Sequence, residues 1–189
     1  APLSAHLEAM QANRPNIKVL AGVNADFFHI RTNQMPCGVI YRNGRCIKGS
    51  YDDQTTVFAL LADGTARCMS AAEYELLDKS LIREAVSGRQ MLLDNGVQQS
   101  RSTRLEPRTA VGVTRDGKRL FILVADGRRK EYSNGLSYAD MAQIFRGEIL
   151  FPIKGDIAAF HDQILLIFDG GFDHLPDNGP QVVRQLIII

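Results

Sequence analysis

The chain has 189 residues, 45% of them hydrophobic, with 22 Lys and Arg against 21 Asp and Glu and a formal net charge of +1. That length suits one domain, the apolar fraction excludes a disordered chain, and the balanced charge argues against a nucleic-acid or anionic-membrane binder held by bulk charge. No uninterrupted apolar run approaches the roughly 18 residues of a membrane-spanning helix, so no transmembrane segment is expected.

Ala1-Pro2-Leu3-Ser4 lacks the charged-then-apolar layout of a signal peptide. Ser4 to Gln11 reads as a helix, with Ser4 as its cap and Leu7 and Met10 at helical spacing. Asn13 to Asn16 breaks it. Ile17 to Val23 then reads as a strand running into Asn24-Ala25-Asp26-Phe27-Phe28. Short polar side chains at a strand end either bond their own backbone or point into a cleft, here with Phe27 and Phe28 packed beneath. Met35 to Gly38 is a turn or loop. Asn43-Gly44 and Asp63-Gly64, each flanked by apolar runs, predict two hairpins, over Val39–Ile47 and Val57–Met69. Ser70 and Glu73 form a capping-box pattern opening a short helix toward Ile82. Ala85 to Leu93 is a strand approach containing Ser87-Gly88, Asp94-Asn95-Gly96 is a turn, and Gln98 to Glu106 is polar, aperiodic and read as a mobile loop.

The centre of the sequence is a third hairpin. Arg108 to Val113 alternates, Arg115-Asp116-Gly117-Lys118 turns, and Leu120 to Ala125 is an apolar run of the kind buried on both faces. Arg108 and Asp126-Gly127-Arg128 fall at the same end of it, either as a surface ion pair or as the polar mouth of a cleft. Ser137 caps a helix over Tyr138–Phe145. Ile149–Phe151 is a further short candidate for a strand, and Ile157–Phe160 for a strand or a turn of helix. Ile164 to Phe168 reads as a buried strand ending at Asp169-Gly170-Gly171, a plain turn or a tight backbone that a ligand can approach. Asp177 to Pro180 is a turn, and Val182 to Ile189 is a closing strand. The fold class is α+β: a mixed, largely antiparallel sheet built from hairpins with two or three packed helices.

Nucleophile-elbow, phosphate-loop, zinc-protease and dinucleotide motifs are absent. His6, His29, His161 and His174 have no ligand spacing. Cys37, Cys46 and Cys68 form no CxxC or metal pattern, and their odd number argues against a full disulfide framework; reduced or buried thiols are expected. What remains is a repeated theme, three apolar strands ending in a carboxylate: Asp26, Asp126 and Asp169. Carboxylates paired near an arginine suit acid–base work on a glycosidic or phosphate ester bond, the planar guanidinium binding two phosphate oxygens at once.

These residues resemble the phosphodiester glycosidase family. Its Asn/Asp-Phe-Phe turn is similar to Val23-Asn24-Ala25-Asp26-Phe27-Phe28, its Gly-containing approach and strand to Ser87–Leu92, and its Arg-Thr-Ala-Val-Gly strand to Arg108–Gly112. Its Asp-Gly-Arg strand end is similar to Asp126–Arg128, followed by a Ser/Gly turn and helix like Ser133–Phe145. Its closing Asn-Leu-Asp-Gly-Gly-Gly-Ser is similar to Ile167–Asp173, with departures at Ile167, Phe172 and Asp173. The family usually carries further strands before the Asn/Asp turn, so residues 1–189 are expected as a single such domain, trimmed or divergent at its start.

The resemblance implies a hydrolase cleaving a sugar-1-phosphodiester or related glycosidic linkage, secreted or in the cell envelope. Asp26, Asp126 and Asp169 would line the cleft as acid and base or nucleophile. Arg108 and Arg128 would hold phosphate, and Asn24 and Thr109 would position sugar hydroxyls. Gly88, Gly127, Gly170 and Gly171 would allow close backbone approach. The expected partner is a small molecule or glycan carrying a sugar-phosphate. No cofactor is called for, although three clustered acids would permit Ca²⁺. Two other readings stay open: a non-catalytic carbohydrate or envelope-polymer binding domain, following from the altered closing motif, and a structural module of a larger surface protein.

Overall fold

The computed structural model describes residues 3–16, 18–23, 25–27, 29, 35–51, 56–147, 163–169 and 183–188. The elements run α1 (Leu3–Asn13), β1 (Ile40–Arg42), β2 (Arg45–Lys48), β3 (Thr56–Leu61), β4 (Ala66–Ser70), α2 (Ala71–Leu76), β5 (Ile82–Gly88), β6 (Gln90–Asp94), β7 (Val97–Gln98), β8 (Arg108–Val113), β9 (Leu120–Ala125), α3 (Tyr138–Phe145), β10 (Gln163–Asp169) and β11 (Val183–Ile188). They form two antiparallel sheets, β2-β1-β5-β3-β4 and β11-β9-β8-β10-β6-β7. The expected α+β class is the observed one.

Three cores set the layering. Tyr74 of α2 packs with Val39, Tyr41, Val57 and Ala85 on one face of the five-stranded sheet. Ala66, Cys68, Met91, Val111, Val113 and Ile122 lie between the two sheets. Leu92, Ala110, Phe121 and Leu123 pack against Tyr138, Met141 and Phe145 of α3 on the far face of the six-stranded sheet. The order is therefore helix, sheet, sheet, helix. Every residue of β8 is buried, Arg108 and Thr109 included, because this strand lies inside the sheet and is covered on both faces. A fully buried leucine such as Leu92 or Leu123 contributes about 2 kcal/mol of transfer free energy.

Local chemistry explains most boundaries. Asn43 (φ 51°) and Gly44 (φ 76°) make the β1–β2 turn, and Asn95 (φ 48°) and Gly96 (φ 79°) the β6–β7 turn. Ser70 and Ser137 both form capping boxes, with Glu73 and Asp140 at the third helical position.

Several expectations need correction. Residues 18–23 are not a strand: among the described residues no neighbouring strand takes their backbone groups, and Val19 N–H instead donates to the Gln11 side chain at 2.8 Å. Ser4 lies inside α1 and does not cap it. The helix opened by Ser70 stops at Leu76, and a single 3-10 turn, Lys79–Leu81, leads into β5. The segment read as one strand approach, Ala85–Leu93, is two strands in different sheets, β5 and β6, with only Arg89 between them. The loop 99–105 is irregular but fastened: Ser100 is buried and Ser102 O accepts from Ala139 N–H at 3.2 Å. Ile149–Phe151, Ile157–Phe160 and the turn at Asp177–Pro180 lie outside the described residues.

Candidate functional site

The site follows from strand register. Arg108 opens β8 and pairs with Ala125 on one side and Asp169 on the other. β9 and β10 both run antiparallel to β8, so they run parallel to each other and finish at the same end. Asp126, just after β9, and Asp169, ending β10, thus flank the start of β8. Leu166 pairs with Gln90, which brings the start of β6, and with it Gly88, to that end too.

Alternation divides what β8 carries. Val111 and Val113 face the inter-sheet core and Ala110 faces α3. Thr109 therefore shares the inter-sheet side, and Arg108 the helix side. Arg108 is 3% exposed. Its Nε donates to Leu136 O at 3.2 Å and Nη2 to Arg104 O at 3.1 Å, while its guanidinium carbon sits 4.2 Å from the Tyr138 ring centroid. This burial rules out a surface ion pair. The charge is stabilised by carbonyl dipoles and the ring face, interactions that strengthen away from water.

Beside it lies a feature not anticipated from the sequence, Glu106. Its Oε2 accepts from Arg128 Nε at 2.8 Å and lies 2.8 Å from Arg128 Nη2, and its Oε1 lies 2.6 Å from Arg104 Nη2. The hydrogen bond from Arg128, then the two arginine charges, hold the Glu106 carboxyl below the ordinary range. The backbones of Glu106 and Leu136 bridge each other, at 3.0 and 3.3 Å. The available signal was that Glu106 is the one acid in the basic stretch 98–108. Ser133 Oγ donates to Asp126 O at 2.6 Å and accepts from Gly135 N–H at 3.2 Å, closing the turn after β9. A Cβ on Gly127 would lie 2.7 Å from Pro107 N, so the close approach at this glycine is to the protein's own backbone.

Asp26 reaches the same end by a loop. It is buried, at φ 64°, and its Oδ1 accepts from Phe27 N–H at 2.7 Å. Phe27 O accepts from Cys37 N–H at 2.7 Å, and Val39 N–H donates to Ser87 Oγ at 2.6 Å. The guanidinium of Arg89 lies 6.0 Å from the Phe27 ring centroid. The Asp26 loop is thereby fastened to the β5–β6 crossover. Gly88 O in that crossover accepts from Thr56 Oγ1 at 2.8 Å.

The structure thus brings the backbone positions of Gly88, Arg108, Thr109, Asp126, Gly127 and Asp169 to one end of the six-stranded sheet, with Asp26 tied to the crossover beside them. Arg128, at φ 63° and exposed, is engaged by Glu106. Asn24, Gly170, Gly171, Phe172 and Asp173 lie outside the described residues. Ile167 lies within β10. None of Cys37, Cys46 and Cys68 is in a disulfide. Among the described residues, no group of three His, Cys, Asp or Glu is placed to hold a metal ion, and no helix is long and apolar enough to cross a membrane.

Residues 18–148, more than half of the chain, match the family model for phosphodiester glycosidases. The chain belongs to the phosphodiester glycosidase family, a family of glycosidase-type hydrolases. Among solved structures it is similar to the zebrafish N-acetylglucosamine-1-phosphodiester alpha-N-acetylglucosaminidase catalytic domain, auto-inhibited by its pro-peptide. The TM-score is 0.57 with 20% sequence identity, over 78% of this chain and 50% of that one. At that identity the likeness is one of fold, and the chain spans about half the length of that structure. A search of curated proteins returned no match.

Proposed function

We propose that this chain hydrolyses a sugar-1-phosphodiester or closely related glycosidic linkage, releasing the sugar from its phosphate ester. The observation that carries the reading is the register of β9, β8 and β10, which sets the strand ends bearing Asp126 and Asp169 on either side of Arg108. Family membership supplies the reaction class. In the reaction one carboxyl protonates the departing phosphate-ester oxygen, while another activates water or attacks the anomeric carbon. Asp26, Asp126 and Asp169 are the candidates for those roles. Arg108 acts from beneath: its buried charge raises the local positive potential and its donors fix Arg104 and Leu136. Thr109 and Gly88 offer polar and close-approach positions to the sugar. The chemistry uses the chain's own carboxylates and requires no cofactor. The substrate class is a small molecule or glycan bearing a sugar-phosphate, encountered outside the cytoplasm or in the envelope.

The test is sugar release from a panel of sugar-1-phosphodiesters by the purified chain beside Asp126→Asn. Turnover that falls at least a hundredfold in the variant supports the reading. A second reading, a glycan-binding domain without turnover, is favoured by one observation: Arg128 is clamped by Glu106, and Nε and Nη2 of Arg108 rest on carbonyls. Glycan binding with no sugar release from any member of the panel would establish it.

A further inference from the structure

We propose that Arg104 and Arg128, set side by side by Glu106, form a clamp for the substrate phosphate, an assignment that rests on the phosphodiester reading above. One carboxylate serves both arms. Glu106 Oε1 lies 2.6 Å from Arg104 Nη2, and Oε2 lies 2.8 Å from both Nε and Nη2 of Arg128. The Glu106 side chain is 10% exposed, against 79% for Arg104 and 52% for Arg128, so the spacer is shielded while both cations reach solvent. Two guanidiniums against one carboxylate leave one positive charge unbalanced within the trio. Arg128 lies two residues beyond Asp126, and Glu106 lies two residues before Arg108. The clamp therefore sits at the end where the strands bearing Asp126 and Asp169 finish.

The contacts to Glu106 do not use up the donors. A guanidinium carries five N–H groups. Nη1 of Arg128, and Nε and Nη1 of Arg104, have no hydrogen-bond or ion-pair partner among the described residues. A phosphate offers several acceptor oxygens and can take N–H groups from two neighbouring guanidiniums at once. The arms are also held from behind. Arg104 O accepts from Arg108 Nη2 at 3.1 Å, and the Glu106 backbone is bridged in both directions to Leu136. The backbone of Arg128 has φ 63°, a left-handed conformation unfavourable for an arginine. A half-exposed ion pair contributes little stability and so does not account for that strain. Aiming the guanidinium at Glu106 does account for it, since strain kept in a fold points to a functional constraint. Side chains placed this way lose less freedom on binding than unsupported surface arginines.

The test measures binding of the 1-(methyl phosphate) diesters of glucose and N-acetylglucosamine, and of the corresponding uncharged methyl glycosides. The proteins are the wild-type chain, R104A, R128A and E106Q, each assayed well below its own thermal midpoint. R104A and R128A should each weaken diester binding about tenfold, the order of one charge-assisted hydrogen bond, and leave the glycosides unchanged. E106Q separates placement from bulk charge. It removes a negative charge, so attraction alone would tighten diester binding, whereas loss of the spacer weakens it; weakening is expected. Diester binding by R104A or R128A equal to wild type, equal or tighter diester binding by E106Q, equal weakening of diesters and glycosides, or no diester binding by the wild-type chain would overturn the clamp. Sugar release followed alongside separates the two claims. Diester binding that depends on Arg104 and Arg128, without release by wild type, overturns hydrolysis and upholds the clamp. Release by R104A with an unchanged KM upholds hydrolysis and overturns the clamp.

Discussion

The two ends of the six-stranded sheet are built by different means. At one end lie the turns Asp94–Gly96 and Thr114–Arg119. There most bonds close within a few residues: Asp116 Oδ1 accepts from Thr114 Oγ1 and Lys118 N–H, and Thr114 N–H reaches Arg119 O at 3.1 Å. At the other end the partners come from far apart in sequence. Arg108 bonds to Leu136, Arg128 to Glu106, and the Asp26 loop reaches Ser87 through residues 37–39. The first end is mostly local turns, tied to the other sheet among the described residues by a single backbone bond, Ala66 N–H to Gly117 O at 2.8 Å. The second is one interlocked assembly, and it is the one that gathers the carboxylate strand ends. Local closure makes a stable edge, and long-range closure is what can hold chemical groups in fixed relation.

Substitutions can break this contrast, beginning with the severest. Gly135 has φ 96°, and a Cβ there would lie 2.2 Å from Glu106 O, against backbone that cannot step aside. Gly135→Ala should cost more than about 4 kcal/mol or prevent folding, read by denaturant unfolding. Next, Arg108→Ala removes a buried cation, takes a donor from Arg104 O and leaves Leu136 O with the Glu106 N–H. A loss of about 3 kcal/mol is expected in the same measurement, and a loss under about 1 kcal/mol would mean the far end is not interlocked.

Gly64, in the β3–β4 turn, shares a positive φ, here 84°, but a Cβ there would meet only open space. Gly64→Ala should cost only about 1 kcal/mol, the backbone strain without the collision. The mildest test is Glu106→Gln. The Glu106 carboxyl is held low by Arg128 and Arg104, so its stabilisation is full above the ordinary carboxylate range and is lost as pH falls through its lowered value. Thermal midpoints of wild type and Glu106→Gln should therefore differ at neutral pH and converge in acid. A gap that stays constant down to about pH 3 would assign the effect to shape and not to charge.

The same contrast explains what could be read from the sequence. Asn43-Gly44, Asp63-Gly64 and Ser137 announce their structures because each is decided within about four residues. Arg108 and Asp126 could be placed together because one hairpin joins them. The division of β5 from β6 could not, since one exposed arginine between apolar runs has no turn chemistry. Residues 18–23 form a short apolar run like a strand yet find no partner strand among the described residues, and pairing is not written in one segment alone. Glu106 was hidden because its partners, Arg128 and the Leu136 backbone, are 22 and 30 residues away by number. Asp169 joined the site only through the insertion of β10 between β8 and β6.

That insertion bears on how the chain is made. β6 and β8 are neighbours of β10 on either side, yet β10 begins at Gln163, far downstream of the start of β8 at Arg108. Until residue 163 and its successors clear the ribosome, two strands of the future sheet interior have open hydrogen-bonding edges. For that interval the nascent protein carries the features that invite wrong pairing and chaperone attention: long-range closure, unpaired edges and a core still missing its middle. A ribosome that pauses between Phe145 and Gln163 would prolong it, and one that speeds through would shorten it.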